Sequence, residues 1–220
     1  MRIVYWSDFN CPYSYIGLVR IKNAAEELNL DVDWDMKAFE LEPDADISTL
    51  VTIKRFAIDN RLPLKESESE ILEVEEIARS DGLEINYRDL EITSSRDAHR
   101  LVKYYQNKNP QKAQELAEKI FEANFVKNEN ISDRDVLIDI AKSLNLNESE
   151  AKKILESGSF NIEVELEMED ALFNGITAIP HYILLNGDEE LIVPGVFEKE
   201  DLKTALSDLV NGEIASKTFI

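Results

Sequence analysis

Residues 6–17 read WSDFNCPYSYIG and include Cys11, the only cysteine of the 220-residue chain. Residues 2–7 are β-branched and aromatic, which predicts a short buried strand. Apolar residues then recur at helical spacing from Tyr15 to Leu28. Pro12 suits the first turn of that helix, because its missing N–H is one that a helix leaves unpaired anyway. The stretch therefore predicts a strand, a short loop and a helix, with Cys11 at the helix start.

The segment that follows predicts a second strand and then a long helical block. Residues 31–39 alternate apolar and charged side chains, so the N-terminal part is typical of a right-handed βαβ unit. No strand pattern is found from about residue 44 to residue 160, whereas helical patterns recur. We expect helices at residues 50–60, 67–80, 97–106, 110–125, 132–144 and 149–156. In the second of these, Ser67 and Glu70 have capping-box spacing and Gly82 is a plausible stop.

The C-terminal part returns to a mixed pattern. Residues 162–173 and 198–210 are amphipathic, and Asn186-Gly187 predicts a two-residue hairpin between strands at 181–185 and 190–193. The expected order is β-α-β, a helical insertion, then α-β-β-α, which is an α/β architecture. We expect a sheet domain formed by residues 1–43 and 161–220, with an all-helical insertion, residues 44–160, packed on it as a lid.

Composition excludes several functions. The 45 acidic and 24 basic residues give a net charge of −21, so nucleic acid and anionic membranes are poor partners. The N-terminus turns polar too soon for a signal peptide, and no apolar stretch approaches the roughly 18 residues of a spanning helix. We therefore expect a cytoplasmic protein. One cysteine cannot form an intramolecular disulfide, and two histidines are too few to predict a metal site.

The position of Cys11 carries the first chemical prediction. Unpaired N–H groups and the positive end of the helix dipole favour a thiolate over a thiol. Ser14 lies on the same face of the first turn and can offer a hydroxyl to the sulfur. Asp8 acts in the opposite direction, because a nearby carboxylate raises a thiol pKa. The balance between these effects is left open by the sequence.

A second motif, residues 175–181, reads GITAIPH and precedes a predicted strand. Proline is excluded from central strands, but at a strand start it can be cis. The backbone of Ile179 would then present polar groups beside the helix that begins at Cys11, where an extended thiol ligand could pair. An ordinary loop proline is the alternative, and the placement of Cys11 favours the site.

These two motifs, together with SSRDAHRL at 94–101 and EKIFEANF at 118–125, resemble the DsbA-like thioredoxin-fold superfamily, and specifically its cytoplasmic FrnE-type branch. The resemblance implies a thioredoxin-like fold, a cis Pro180 and a protein disulfide oxidoreductase or isomerase activity. Cys11 would be the nucleophile and Ser14 a donor to its thiolate. The expected substrate-binding residues are Pro12, Tyr13, Ile179, Pro180, His181 and His99. For each histidine a purely structural role is the alternative.

The chain departs from the dithiol members at Ser14, where they carry a second cysteine. A lone thiol can form a mixed disulfide, but it needs an external thiol to release it. We therefore expect partners that are thiols or disulfides, either protein or glutathione. No bound cofactor is expected, and glutathione is a possible co-substrate.

Two alternatives remain open, and the oligomeric state is not predicted. A serine in this loop is also similar to the 2-hydroxychromene-2-carboxylate isomerases and kappa-class glutathione transferases, which implies a glutathione-dependent isomerase or transferase. Their serine tends to lie where Cys11 is, which makes that match weaker. The third reading is a non-catalytic protein that binds ligands in the same groove.

Overall fold

A computed structural model describes residues 1–43, 45 and 50–213. The strands are β1 (Arg2–Ser7), β2 (Asp33–Ala38), β3 (His181–Asn186) and β4 (Glu189–Pro194). The helices are α1 (Pro12–Glu27), α2 (Thr52–Asp59), α3 (Leu64–Ser80), α4 (Arg96–Gln106), α5 (Pro110–Phe125), α6 (Arg134–Ser143), α7 (Glu148–Glu156), α8 (Asn161–Phe173) and α9 (Lys199–Asn211). The predicted element order is confirmed, and the chain has a mixed α/β, thioredoxin-like fold.

The sheet has the order β2-β1-β3-β4. β1 pairs parallel to β2 and antiparallel to β3, and β3 pairs antiparallel to β4. β1 therefore has a hydrogen-bonded neighbour on both edges. Its side chains pack on both faces of the sheet, which explains why its sequence is almost wholly apolar. Its C-terminal end, Ser7, leads directly into the loop that carries Cys11.

Alternation along the strands divides the side chains between two faces of the sheet. Ile3 and Tyr5 of β1 share the main core with Tyr182 and Leu184 of β3. Helices α1 and α9 pack together, and α9 also covers β3 and β4. On the opposite face, Trp6 packs in a smaller cluster with Ala171 of α8 and Ile176. The two faces thus bury different residues of the same strands.

Helices α2 to α7 follow one another between β2 and α8. The buried side chains of α3 to α7 join those of the sheet in one continuous core, and α5 packs on β2, α4 and α1. The division into a sheet domain and a lid stays a prediction, and its boundary at residue 44, like residues 46–49 and 214–220, lies outside the described residues. None of the described helices is both long and apolar enough to cross a membrane.

Two local predictions are wrong. Helix α3 begins at Leu64, because Pro63 occupies its N-cap with extended backbone. Ser67 is therefore inside the helix, where its hydroxyl donates to the Pro63 carbonyl at 3.2 Å instead of capping. The hairpin turn is shifted by one residue, since Asn186 pairs with Glu189 and the two turn residues are Gly187 and Asp188.

Candidate functional site

Cys11 occupies the N-cap of α1, with extended backbone (φ −96°, ψ 111°) and Pro12 at the first helical position. Its N–H donates to the Asp8 carbonyl at 3.0 Å. Its own carbonyl accepts from the N–H groups of Ser14 and Tyr15, at 3.1 and 3.3 Å. The loop and the first turn of α1 therefore hold the thiol at the helix start, as the sequence predicts.

The two sequence motifs meet at this thiol. Cys11 Sγ lies 4.0 Å from the carbonyl oxygen of Ile179, within reach of a weak S–H donor bond. The Ile179–Pro180 peptide bond is cis. The Pro180 carbonyl in turn accepts from the N–H of Gly195 at 2.8 Å, which ties the loop to the end of β4. Residues 168 positions apart in sequence are thus in contact through the sulfur and a backbone carbonyl.

The Cys11 side chain is buried, with only 5% of its surface exposed. Burial and, to a smaller degree, the Asp8 carboxylate raise the pKa of the thiol from 9.0 to about 11, whereas the Ser14 side chain and the N–H groups of Ser14 and Tyr13 lower it. Burial outweighs the helix terminus in this balance. The thiolate that the helix start alone would favour is not the resting form, and the thiol is protonated at neutral pH.

Ser14 lies beside the sulfur on the first turn of α1, as predicted. It is buried, and although its side chain lowers the pKa of the Cys11 thiol, Ser14 Oγ makes no hydrogen bond of normal geometry to the described residues. A buried hydroxyl without a partner is costly in a folded protein. Ser14 therefore has a donor available at the site.

Asp8 and His99 form a buried pair behind the loop. The Asp8 carboxylate accepts from the N–H of Leu41 at 2.7 Å and of Asn10 at 3.3 Å. His99 Nε2 lies 3.4 Å from Asp8 Oδ1, and the imidazole ring packs on Phe9 with 4.8 Å between ring centroids. Both side chains are at most 2% exposed. His99 is thus placed to hold the loop from α4, rather than at the surface where a substrate would lie.

A groove of about 470 Å³ opens beside Cys11. Its walls come from the cysteine loop, the segment after β2, helices α2 and α3, and the segment that follows α3. Its lining residues are Asn10, Cys11, Pro12, Tyr13, Leu41, Glu42, Phe56, Glu70, Ile71, Glu73, Val74, Tyr87 and Ile92. The predicted residues Pro12 and Tyr13 therefore share one concave surface with the thiol.

The two histidines are absent from the described lining of this groove. His181 starts β3, pairs with Trp6 across the strands and contacts its ring edge to face at 6.2 Å. Burial lowers the pKa of its imidazole. The substrate-binding roles of His99 and His181 stay predictions.

Tyr182 also belongs to this region, although no sequence motif named it. Its ring is 1% exposed, and its hydroxyl has no hydrogen-bond partner among the described residues. A Cβ atom built on Gly17 of α1 would lie 2.5 Å from that hydroxyl oxygen and 3.2 Å from Pro180 Cγ. The signal was available in the sequence, since a glycine inside a helical pattern indicates a close approach by another group. It did not say which group.

The acidic residues of the groove were also missed. Glu70 and Glu73 are exposed side chains of α3, and they stand on the rim of the groove that contains Cys11. In the described part of the chain, no group of three or more His, Cys, Asp or Glu side chains is arranged to hold a metal ion.

Comparison with known families agrees with this geometry. A family model described as the DSBA-like thioredoxin domain matches residues 2–207. The chain belongs to this family. The superfamily and the fold predicted from the cysteine and proline motifs are therefore confirmed, since the match spans both motifs and the helices between them.

Individual relatives of this DSBA-like protein are distant. It is 24% identical over 212 residues to the uncharacterized protein YwbO of Bacillus subtilis, covering 94% of this chain and 96% of that one. A probable DsbA oxidoreductase from Streptomyces coelicolor superposes with a TM-score of 0.84, at 22% identity, over 100% and 92% of the two chains. The cytosolic disulfide reductase DsbM of Pseudomonas aeruginosa, solved with GSH, gives 0.64 at 15% identity over 96% and 100%. These likenesses show the shared fold.

Proposed function

We propose that this protein is a thiol-disulfide oxidoreductase or isomerase that acts through one thiol, Cys11, and relies on an external thiol to complete its cycle. The observation that carries the proposal is the contact between Cys11 at the start of α1 and the carbonyl of Ile179 before Pro180. The family membership supports chemistry at thiols or disulfides. Ser14, in the place of a second thiol, supports the single-thiol form of that chemistry.

The proposed reaction has two exchange steps. The Cys11 thiolate attacks one sulfur of a substrate disulfide, so that a Cys11–substrate disulfide forms and the other substrate sulfur leaves as a thiolate. An external thiolate then attacks the mixed disulfide and releases Cys11. After these two steps one substrate sulfur is a free thiolate and the other is bonded to the external thiol. A second external thiolate completes the reduction by displacing that substrate sulfur, so that the two external thiols end as a disulfide. When the attacking thiolate belongs to the substrate itself, the substrate disulfide is rearranged instead.

We expect substrate docking to favour ionisation of the buried Cys11 thiol. An extended substrate whose N–H donates to the Ile179 carbonyl would occupy the acceptor that Cys11 reaches at 4.0 Å. Ser14 Oγ, which lacks a partner of normal geometry, would then donate to the developing thiolate. The groove wall formed by Pro12 and Tyr13 would contact the substrate on either side of its sulfur.

The experiment is trapping of the mixed disulfide with a neutral probe, bis(2-hydroxyethyl) disulfide, at about pH 8.5. Mass spectrometry should show one hydroxyethylthio adduct on the wild-type chain and none on the Cys11→Ser variant, and added thiol should remove the adduct. An adduct that forms no faster than on the urea-unfolded chain, corrected for thiol ionisation, would contradict the proposal.

We also propose that the protein is of the FrnE type and works in the cytoplasm. Thiols are kept reduced there, and external thiols are abundant enough to resolve a mixed disulfide. The likeness to a cytosolic disulfide reductase supports this location. Alkylation of living cells followed by mass spectrometry would test it, since the expected adducts on Cys11 are cytoplasmic thiols or proteins.

One observation favours a second function, a glutathione-dependent isomerase or transferase. A protonated Cys11 thiol and the Ser14 hydroxyl beside it are two adjacent donors, which is the arrangement that a bound glutathione thiolate would need. This function requires saturable glutathione binding that survives the Cys11→Ala substitution. Isothermal titration with millimolar glutathione decides it, because no measurable heat of binding would remove this candidate.

A further inference from the structure

The groove beside Cys11 has an uncompensated negative charge on its rim. Glu70 and Glu73 lie one turn apart on α3 and both line the groove. Neither takes part in an ion pair among the described residues. A third carboxylate, Glu42, also lines the groove, but it is paired with Arg55. Two full negative charges therefore stand free at the mouth of the site.

Positive charge is scarce around the same groove. None of its described lining residues is a lysine or an arginine. Arg55 is paired with Glu42 and lies 3.6 Å from Asp59, so two carboxylates offset its charge. Burial is the main cause that raises the pKa of the Tyr13 hydroxyl, and Glu73 and Glu70 raise it further, so the negative charge of the rim acts two residues from Cys11. An anion that approaches Cys11 is thus repelled by the wall.

The described lining of the groove adds no positive charge to offset the rim. Asn10 lines the groove, its amide nitrogen donates to the Thr93 carbonyl at 2.8 Å, and its Oδ1 is buried without a hydrogen-bond partner among the described residues. The free carboxylates of Glu70 and Glu73 are therefore the groups that favour a cationic ligand.

We infer that this groove selects thiols and disulfides that carry positive charge near the reacting sulfur, with Glu70 and Glu73 as the residues that determine this specificity. The inference rests on the proposed single-thiol function and names its substrate class. Cysteines next to lysine or arginine in a peptide, or small aminothiols, fit the groove. Glutathione, with two carboxylates and one ammonium group, fits it poorly.

A cationic substrate would also assist the chemistry. A positive charge beside the sulfur stabilises the thiolate, and this thiol is one whose pKa burial and Asp8 raise to about 11. A bound cationic substrate would therefore favour ionisation of the Cys11 thiol, which burial and Asp8 oppose. Neutral and anionic disulfides would gain no such help.

Three methanethiosulfonate reagents of similar size test the inference, carrying a trimethylammonium, a hydroxyl or a sulfonate group. In each case the Cys11 thiolate attacks the sulfenyl sulfur, a disulfide forms and methanesulfinate leaves. Rates are divided by those of 2-mercaptoethanol to remove intrinsic reactivity. We expect the corrected cation-to-anion ratio to be about tenfold or more at low salt and to fall toward one at 1 M salt.

The variants locate the effect. Glu70→Gln with Glu73→Gln should reduce the ratio at least about threefold. Glu66→Gln with Glu76→Gln removes the same charge from exposed sites on the same helix, outside the groove lining, and should leave the ratio nearly unchanged. An equal drop in both pairs would assign the effect to net charge and overturn the inference.

The outcomes separate this inference from the proposed function. If Cys11 reacts with all three reagents at the ratio of the free thiol, the specificity is refuted while single-thiol exchange stands. If Cys11 reacts with none of them, although the unfolded chain reacts with all, then exchange through this thiol fails as well.

Discussion

Gly17 has no room for a side chain because the Tyr182 hydroxyl lies 2.5 Å from the position of its missing Cβ. The contact joins the second turn of α1 to the start of β3, and Pro180 Cγ lies on the same spot at 3.2 Å. The helix that begins at Cys11 is therefore seated directly on the strand that follows the proline motif.

The Gly17→Ala variant should lower the free energy of unfolding. Overpacking of a rigid core costs about 1–3 kcal/mol, and the gain in helix propensity from glycine to alanine returns only about 1 kcal/mol. Urea denaturation of the variant measures the balance.

The Tyr182→Phe background serves as the control. The Tyr182 hydroxyl is buried without a partner, so its removal alone should be neutral or stabilising by up to about 1 kcal/mol. In the double variant the nearest ring atom is Cζ at 3.5 Å, an ordinary contact, and most of the loss should disappear. If the two substitutions are simply additive, the close approach is not the cause.

Alkylation of Cys11 should depend steeply on pH. The thiol pKa is raised to about 11, mainly by burial, so the thiolate fraction grows about tenfold per pH unit from pH 7 to pH 10. The iodoacetamide rate should follow, whereas the rate of a free cysteine levels off above its pKa of about 8.5. A plateau below pH 9 in the native protein would contradict the burial argument.

Asp8→Asn should accelerate the same reaction about threefold or more near pH 8, because it removes the carboxylate that raises the thiol pKa. Asp31→Asn, at an exposed position before β2, is the matched control and should leave the rate unchanged. Thermal melts must show that both variants remain folded at the assay temperature.

The two histidines should differ sharply in their effect on stability. His99→Phe leaves the fully buried Asp8 carboxylate without its side-chain partner, which should cost about 1–3 kcal/mol in urea denaturation. His181→Phe changes a partly exposed side chain that packs on Trp6, and should cost less than about 1 kcal/mol. Equal losses would remove the positioning role inferred for His99.

Ser14→Cys should restore a second thiol and change how the cycle ends. The new thiol, on the first turn of α1, should attack the mixed disulfide from within the chain and shorten its lifetime about tenfold or more without added thiol. Time-resolved mass spectrometry after addition of bis(2-hydroxyethyl) disulfide measures the adduct, and Ser14→Ala is the control. An adduct that persists as long as in the wild type would show that position 14 does not reach the sulfur productively.

The sequence predicted the order of elements and the meeting of Cys11 with Pro180 because those features follow from short-range patterns and one familiar topology. Strand and helix periods, and a proline at a helix start, act within a few residues. Even there the prediction for α3 was wrong, since Pro63 and not Ser67 determines where that helix begins. The capping-box spacing at Ser67 and the proline at position 63 indicate different helix starts. The observed start follows the proline, which constrains the backbone more strongly.

The electrostatics of the site could not be predicted in the same way. Whether Cys11 is ionised depends on how completely neighbouring segments cover it, and that cover comes from residues far away in sequence. The role of Glu70 and Glu73 likewise depends on α3 packing against α1. Which residue approaches Gly17 also depends on how α1 packs on β3. Such effects arise from tertiary packing, for which a single sequence has no local signature.

The loop that carries Cys11 is anchored more firmly to the helical block than to the sheet. Asn10 donates to the Thr93 carbonyl, the Phe9 carbonyl accepts from Asn124 at 2.8 Å, and Asp8 meets His99 of α4. The three residues before the cysteine thus contact three different residues between positions 93 and 124. Excising the helices to obtain a minimal thioredoxin module would therefore remove the contacts that hold the reactive loop in its conformation.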